Sequence, residues 1–260
     1  MRSIDVLTEA TLASGVAELC ARDRDLARVV ARFGPPPLWA REPGFGTLVQ
    51  IILEQQVSLA SARAAYARLE ARAGAASPAG LLALDDATLR ALGFSRQKGG
   101  YVRALARAIA DGSFAPDELA GLDDDAARAR LVGLKGIGRW SADIYLLMAL
   151  CRPDVWPHGD LALVGALREV KRLRTMPGPE RVARITHRWR PWRAVAARIL
   201  WHHYLSTPRA RRRADKNEGG STSVAPPSDS RRAGRVPARS ARASARVSPR
   251  TARRTSRPAR

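Results

Sequence analysis

Apolar residues recur at helical intervals from about residue 45 to residue 205. The run Phe45-Gly-Thr-Leu-Val-Gln-Ile-Ile-Leu-Glu-Gln-Gln is apolar at 45, 48, 49, 51, 52 and 53, which makes a broad helical face. Ser58 stands where a helix cap belongs, ahead of Leu59, Ala62, Ala65, Tyr66 and Leu69 at three- and four-residue steps. Ser77-Pro78 offers a cap with proline at the first helical position, and Gly93 closes the short helices that follow. Ser95 opens a basic helix through Tyr101, Leu105 and Ile109 that stops at Gly112. The same pattern predicts helices over 123–132, 141–150 and about 161–171, 178–187 and 191–205. There is no period-two run of strand length, and no Asn-Gly or Asp-Gly turn between such runs. No repeat of solenoid length is visible. The expected fold class is all-α.

The pattern ends near residue 207. All fourteen aromatic residues lie at or before Tyr204. Residues 208–260 hold 15 arginines and one lysine against three acids, which is +13 of the chain's +21. Their only large aliphatic residues are Val224, Val236 and Val247. So little apolar surface cannot offset chain entropy. The expected organisation is one folded domain at 1–207 and a disordered basic Arg/Ala/Ser/Pro-rich tail at 208–260. Such a tail either contacts phosphates without reading sequence or serves only as a solubilising extension. The folded part keeps a charge of +8, so it too points to a polyanion, most simply nucleic acid.

Several classes drop out. The longest apolar run, 144–151, is eight residues and too short to span a bilayer, so no membrane partner is expected. Residues 1–6 contain no continuous apolar segment and Asp5 interrupts them, so a cytoplasmic, nucleoid-associated monomer is expected. Cys20 and Cys151 are too few for a four-cysteine zinc site or an iron–sulfur cluster. They read as small buried side chains, with a single disulfide as the alternative. The four histidines show no metal-ligand spacing, and neither metal nor cofactor is expected.

The most informative stretch is Leu131-Val-Gly-Leu-Lys-Gly-Ile-Gly-Arg-Trp-Ser-Ala. A helix ends near Val132, a turn holds Gly133, Gly136 and Gly138, and a new helix starts near Trp140. Gly136 and Gly138 permit backbone angles and close approaches that a side chain would forbid. The free amides of the next helix would suit a phosphate, with Lys135 and Arg139 beside them. The alternative is a plain turn between packed helices. About twenty residues later comes Asp154-Val-Trp-Pro-His-Gly-Asp160-Leu. Asp160 follows a glycine and precedes an apolar helix, which is an N-cap position. A capping carboxylate can also face a cleft. Asp154 is the competing acid, expected in a solvated turn.

Together, Leu-X-Gly-Ile-Gly-X-Trp-Ser-Ala and Trp-Pro-X-Gly-Asp-Leu resemble the helix-hairpin-helix DNA glycosylases, in particular the 3-methyladenine DNA glycosylase II branch. Leu53-Glu-Gln-Gln-Val-Ser58, Leu92-Gly-Phe-Ser-Arg-Gln-Lys and Trp189-Arg-Pro-Trp-Arg193 with Leu200-Trp201 extend the resemblance over about 20–205. It implies two helical subdomains flanking a cleft, with double-stranded DNA containing damaged bases as the partner. Asp160 falls on the catalytic aspartate. Leu134, Gly136 and Gly138 fall on the DNA-gripping hairpin, with Lys135 and Arg139 beside them. Trp201 and Trp140 fall on base-pocket aromatics, and Tyr145 is the nearest tyrosine to a further pocket position. Gln56 falls near the residue that wedges into the duplex. Bifunctional members carry a Schiff-base lysine where this chain has Trp140, so the resemblance implies a monofunctional enzyme that leaves an abasic site. Uracil, hypoxanthine or an oxidised purine stay open as substrates, as does DNA binding without catalysis.

Overall fold

The computed structural model describes residues 6–73 and 76–207. The sequence-predicted tail at 208–260 lies outside them. No strand occurs among the described residues, and none of their helices is long and apolar enough to cross a membrane.

The helices in chain order are α1 (Glu9–Arg22), α2 (Arg24–Phe33), α3 (Phe45–Glu54), α4 (Leu59–Ala73), α5 (Pro78–Leu82), α6 (Asp86–Ala91), α7 (Arg96–Ala110), α8 (Asp124–Val132), α9 (Arg139–Met148), α10 (Leu161–Val170), α11 (Pro179–His187) and α12 (Arg193–Ser206), with a 3₁₀ turn at Pro116–Gly121 before α8. Local chemistry sets most of the starts. The side chains of Ser77, Asp85, Ser95, Asp123 and Asp160 each accept an amide from the first turn of the helix they cap.

The hydrophobic pattern predicts no element before residue 45, yet α1 and α2 are there. Thr8 and Thr11 form a reciprocal capping box at the start of α1. Asp23 closes α1 and caps α2, accepting the amides of Asp25 and Leu26. The buried Leu12, Val16, Leu19, Leu26 and Val29 keep helical spacing across the pair. The polar residues between them dilute that signal.

Two helical groups result. In one, α3 packs on α4, α7 and α9, while α5 and α6 lie on α7 and α8 lies on α9. In the other, α12 packs on α1, α2 and α10. Helix α9 is buried from Ser141 to Met148, as expected of a helix that is apolar nearly all round. Both cysteines are free thiols; Cys151 is buried and Cys20 half-buried.

The groups are joined by a fully buried guanidinium. Arg198 of α12 donates Nε to the Leu38 carbonyl at 2.7 Å, Nη2 to the Leu147 carbonyl at 2.7 Å and Nη1 to the Ala194 carbonyl at 3.2 Å. Burial lowers it to about 10, so it stays charged at neutral pH. It ties the 34–44 connection and the end of α9 to α12. Arg198→Ala should destabilise by about 3 kcal/mol or more, because two long-range carbonyls lose their donor inside the core. Arg198→Lys should not restore the loss, since one ammonium cannot span both carbonyls. Urea unfolding of the three proteins checks this, and a loss below about 1 kcal/mol for Arg198→Ala would contradict it.

Candidate active site

Helix α10 starts where it does because Asp160 caps it. One carboxylate oxygen accepts the Leu163 amide at 2.8 Å, and the other accepts the Trp140 indole N–H at 3.1 Å. Asp160 is only 2% exposed. Burial pushes its carboxyl up to about 6, against the Leu163 amide, the Trp140 and Trp201 indoles and the Ala162 amide, which all favour the ionised form. The buried Trp201 indole N–H meets no acceptor in hydrogen-bonding geometry, so it acts on Asp160 by proximity. The carboxylate is therefore short of water yet mostly ionised at neutral pH.

Asp160 lies on the wall of a cleft of about 710 Å³, a size common for small-molecule sites. Leu134, Gly136, Gly138, Trp140 and Gln56 line the same cleft. The stretch between α8 and α9 thus brings the sequence-predicted hairpin beside the predicted acid. Its two glycines do different things. Gly136 sits at φ +89°, and a Cβ there would lie 2.2 Å from the Tyr101 ring. It lets the turn close onto α7. Gly138 has open space where a Cβ would be, and no side chain caps α9 behind it. The first-turn amides of α9 therefore have room for an external acceptor. Lys135 and Arg139 are exposed beside that opening but do not line the cleft.

The hairpin is braced by residues to which the sequence pattern assigns no role. Gln55 Nε2 donates to the Gly136 carbonyl at 2.8 Å and to Ser141 Oγ at 3.0 Å. Its neighbour Gln56 is exposed on the rim at φ +58°, a strained angle for a residue with a side chain. Lys98, on the cleft wall, donates Nζ to the Leu53 carbonyl at 2.7 Å, and burial lowers its pKa. Arg41 pairs with Glu54 through two bonds at 3.2 and 2.8 Å. All these contacts gather on the last turn of α3. They join positions 13 to 86 residues apart, so no local pattern announces them.

The loop leading to Asp160 is anchored from below. Asp143 is fully buried; its oxygens accept Arg128 Nε at 2.7 Å, the His158 amide at 3.2 Å and His158 Nδ1 at 3.0 Å. Burial alone would raise its pKa, but the bonds from His158 and Arg128 outweigh it and hold it below the usual value. His158 Nε2 lies 3.4 Å from Arg139 Nη2, which links the loop to the start of α9.

Three expectations need correction. Tyr145 is fully buried and its hydroxyl accepts the Gly44 amide at 2.9 Å, so it anchors the start of α3 and is absent from the cleft wall. It sits well inside α9, on the face turned toward α3. Trp201 is 1% exposed and lies behind Asp160, not on the cleft wall, because all of α12 from Ala194 up to that point is core. Asp154 is not solvated: Arg190 and Arg193 bind it at 3.0 and 2.8 Å, and it accepts the Arg193 amide at 3.3 Å.

Residues 49–191 match the HhH-GPD superfamily of base excision DNA repair proteins. The chain is 27% identical over 180 residues to DNA-3-methyladenine glycosylase 1 of Schizosaccharomyces pombe, covering 68% of this chain and 79% of that one. It is 33% identical over 202 residues to a probable bifunctional transcriptional activator and DNA repair enzyme AlkA of Mycobacterium tuberculosis, covering 72% of this chain and 38% of that one. A solved structure of the S. pombe 3-methyladenine DNA glycosylase in complex with abasic DNA superposes with a TM-score of 0.68 at 28% identity, covering 72% of this chain and 95% of that one.

Asp160→Asn should change the pH dependence of stability. A carboxyl raised from 3.8 to about 6 favours its protonated form in the folded state. Wild type therefore loses stability as pH rises from 4 toward 6, by as much as about 3 kcal/mol at ~1.4 kcal/mol per pH unit. Asparagine keeps a capping oxygen for the Leu163 amide, but its amide nitrogen cannot accept the Trp140 indole N–H, a cost that does not depend on pH. Relative to the variant, wild type should be more stable at pH 4.5 than at pH 7.5. Paired urea titrations at the two pH values test this; a stability difference that does not change with pH would contradict it.

Proposed function

Because the chain belongs to the HhH-GPD superfamily of base excision DNA repair proteins, we propose that it is a monofunctional DNA glycosylase that flips alkylated bases of the 3-methyladenine type out of DNA, hydrolyses the glycosidic bond and leaves an abasic site. Its place of work would be the cytoplasmic, nucleoid DNA. The observation that carries this reading is the buried, hydrogen-bonded Asp160 carboxylate on a cleft roomy enough for a base, beside the uncapped start of α9.

The chemistry follows from these parts. The amides at Gly138 and Arg139, with the Lys135 and Arg139 cations, grip a phosphate and set the register of the strand. A base inside a duplex is out of reach, so it must leave the stack at a cost of a few kcal/mol. Gln56, exposed on the rim, fills the gap. A purine alkylated on a ring nitrogen is cationic. The Trp140 ring on the cleft wall attracts such a cation by about 0.5–2 kcal/mol. The positive base is also a good leaving group. As it departs, charge develops on the sugar, and the Asp160 carboxylate, poorly solvated and held by fixed donors, stabilises that charge and orients water for attack. Trp201, behind the carboxylate, helps keep it ionised.

Trp140 stands where the resemblance would require a lysine for a covalent imine. Lys98 is the amine on the cleft wall, and its Nζ is tied to the Leu53 carbonyl. Hydrolysis without strand cleavage is the outcome this supports. The direct test is incubation with duplexes carrying one 3-methyladenine, hypoxanthine, uracil or 8-oxoguanine, followed by alkali to reveal abasic sites. Excision should be strongest for 3-methyladenine; excision of none of the four would sink the proposal.

Single-turnover excision should fall as pH drops through about 6, approaching tenfold per unit, because protonation removes the negative charge of Asp160. A rate independent of pH between 7 and 5 would contradict that role. Asp160→Asn should lower the rate by far more than tenfold, and borohydride should trap no enzyme–DNA adduct. A crosslink that disappears in Lys98→Ala or Lys135→Ala would overturn the hydrolytic reading.

Gln56→Gly relieves the positive φ and removes the side chain from the rim. It should fold at least as well as wild type and excise more slowly from duplex than from single-stranded DNA. Equal slowing on both substrates would remove Gln56 as the wedge.

A further inference from the structure

A second cleft, of about 770 Å³, opens at the other end of α10. Its walls come from the α1–α2 junction, the end of α10 and one face of α11. Six cations line it, Arg22, Arg24, Lys171, Arg181, Arg184 and Arg188, against two acids, Asp23 and Asp25. The acids are already satisfied. Lys171 Nζ bonds both Asp23 oxygens at 2.6 Å and Asp25 at 3.0 Å, Trp189 Nε1 donates to Asp23 at 2.7 Å, and Arg28 pairs with Asp25. Arg22 is occupied as well, donating to the Arg190 carbonyl and pairing with Glu18. Arg24, Arg181, Arg184 and Arg188 are exposed and, among the described residues, pair with no carboxylate. Four guanidinium groups are thus presented around a hollow whose negative charge is internally neutralised.

We propose that this cleft is a second nucleic-acid backbone site, which binds phosphodiesters of the duplex away from the damaged base. Arg181 and Arg184 on α11 and Arg188, which closes that helix in a helical backbone conformation, follow one face at steps of three and four. At 1.5 Å per residue their Cα atoms span about 10 Å along the helix axis. A row of that length can reach more than one phosphate of a strand, since the charges of a duplex are closely spaced along its axis. Guanidinium groups bind phosphate oxygens in pairs, which suits this chemistry. An acidic peptide is the less suitable occupant. The aromatic on the wall, Trp189, is 1% exposed, and Leu173 and Ile185 give the cleft no open apolar pocket for an anchoring side chain. Asp160 caps the start of α10 and Lys171 its end, so the cleft stands one ten-residue helix from the carboxylate. That is about 15 Å. The contact would be independent of sequence and of the lesion.

The proposal rests on the DNA-repair reading for its choice of ligand, and the experiment separates the two. The full chain and its Arg181→Glu/Arg184→Glu/Arg188→Glu variant are titrated against a fluorescent, undamaged duplex of about 25 base pairs over a potassium chloride series. The matching Arg→Gln triple variant is run beside them in case charge reversal disturbs folding. Both variants should bind at least tenfold more weakly near 0.1 M salt, and the slope of log K on log salt should drop by roughly 0.9 for every phosphate no longer neutralised. On a second duplex of the same length carrying one abasic site to fix the register, ethylation of phosphates remote from that site should weaken wild type and leave the variants indifferent, while phosphates beside it stay sensitive in all three. Affinity within twofold and an unchanged slope for both variants would overturn the proposal. So would unaltered DNA binding together with abolished binding of a poly-glutamate peptide, which would make the cleft a site for an acidic protein. Wild-type excision of 3-methyladenine in the same preparation reports separately on the glycosylase reading. Excision with unchanged slopes sinks only the cleft; changed slopes without excision sink only the glycosylase.

Discussion

A carboxylate held out of water at the start of a helix is the constraint around which the cleft is organised. Asp160 completes α10 by accepting the Leu163 amide, and it reaches across to α9 through the Trp140 indole. An ionised group with 2% exposure is tolerated only where donors replace lost water. In this cleft the donors come from two helices, so the acid also fixes how those helices meet. Trp140 lies two residues beyond Gly138, the last residue of the turn between α8 and α9. The backbone opening for an external anion and the acid at the cleft are therefore held in register by one indole N–H.

That arrangement needs rigid walls, and the surrounding contacts supply them. The last turn of α3 is held by Arg41 on Glu54 and by Lys98 on the Leu53 carbonyl, and Gln55 then pins the hairpin at Gly136 and Ser141. The Tyr101 ring lies where any side chain at residue 136 would clash. Beneath the Asp160 loop, Asp143 receives Arg128 and His158. A buried charge left without partners is strongly destabilising, so such networks are held to one geometry. Arg198 does the same at a larger scale, joining three carbonyls from separate parts of the chain.

What the sequence makes legible is the chemistry carried by neighbours in the chain. Ser77, Ser95, Asp123 and Asp160 are recognisable as caps because the residue type and the following apolar spacing occur together. The hairpin glycines are legible for the same reason, although their division of labour is not: only the folded chain brings Tyr101 onto Gly136 and leaves Gly138 open. The assignment of Trp201 and Tyr145 to the cleft wall rests on the resemblance, and it fails because a matched position does not say what covers the side chain. In α12 and α9 most positions are buried, and both side chains go to the core. Gln55 and Lys98 are not legible as supports because their partners are 81 and 45 residues away. Their position beside recognisable motifs is the sole available hint.

Asp160 as a desolvated group that still carries its charge at neutral pH is tested most directly by following the side-chain carboxyl carbons of ¹³C-labelled protein through a pH titration. The Asp160 resonance is assigned by its disappearance in Asp160→Asn. It should titrate near 6, well apart from the ordinary aspartates near 4. An Asp160 resonance that titrates at 4 or below would mean that its donors outweigh its burial, as they do at Asp143, and a carboxyl raised by desolvation would be contradicted.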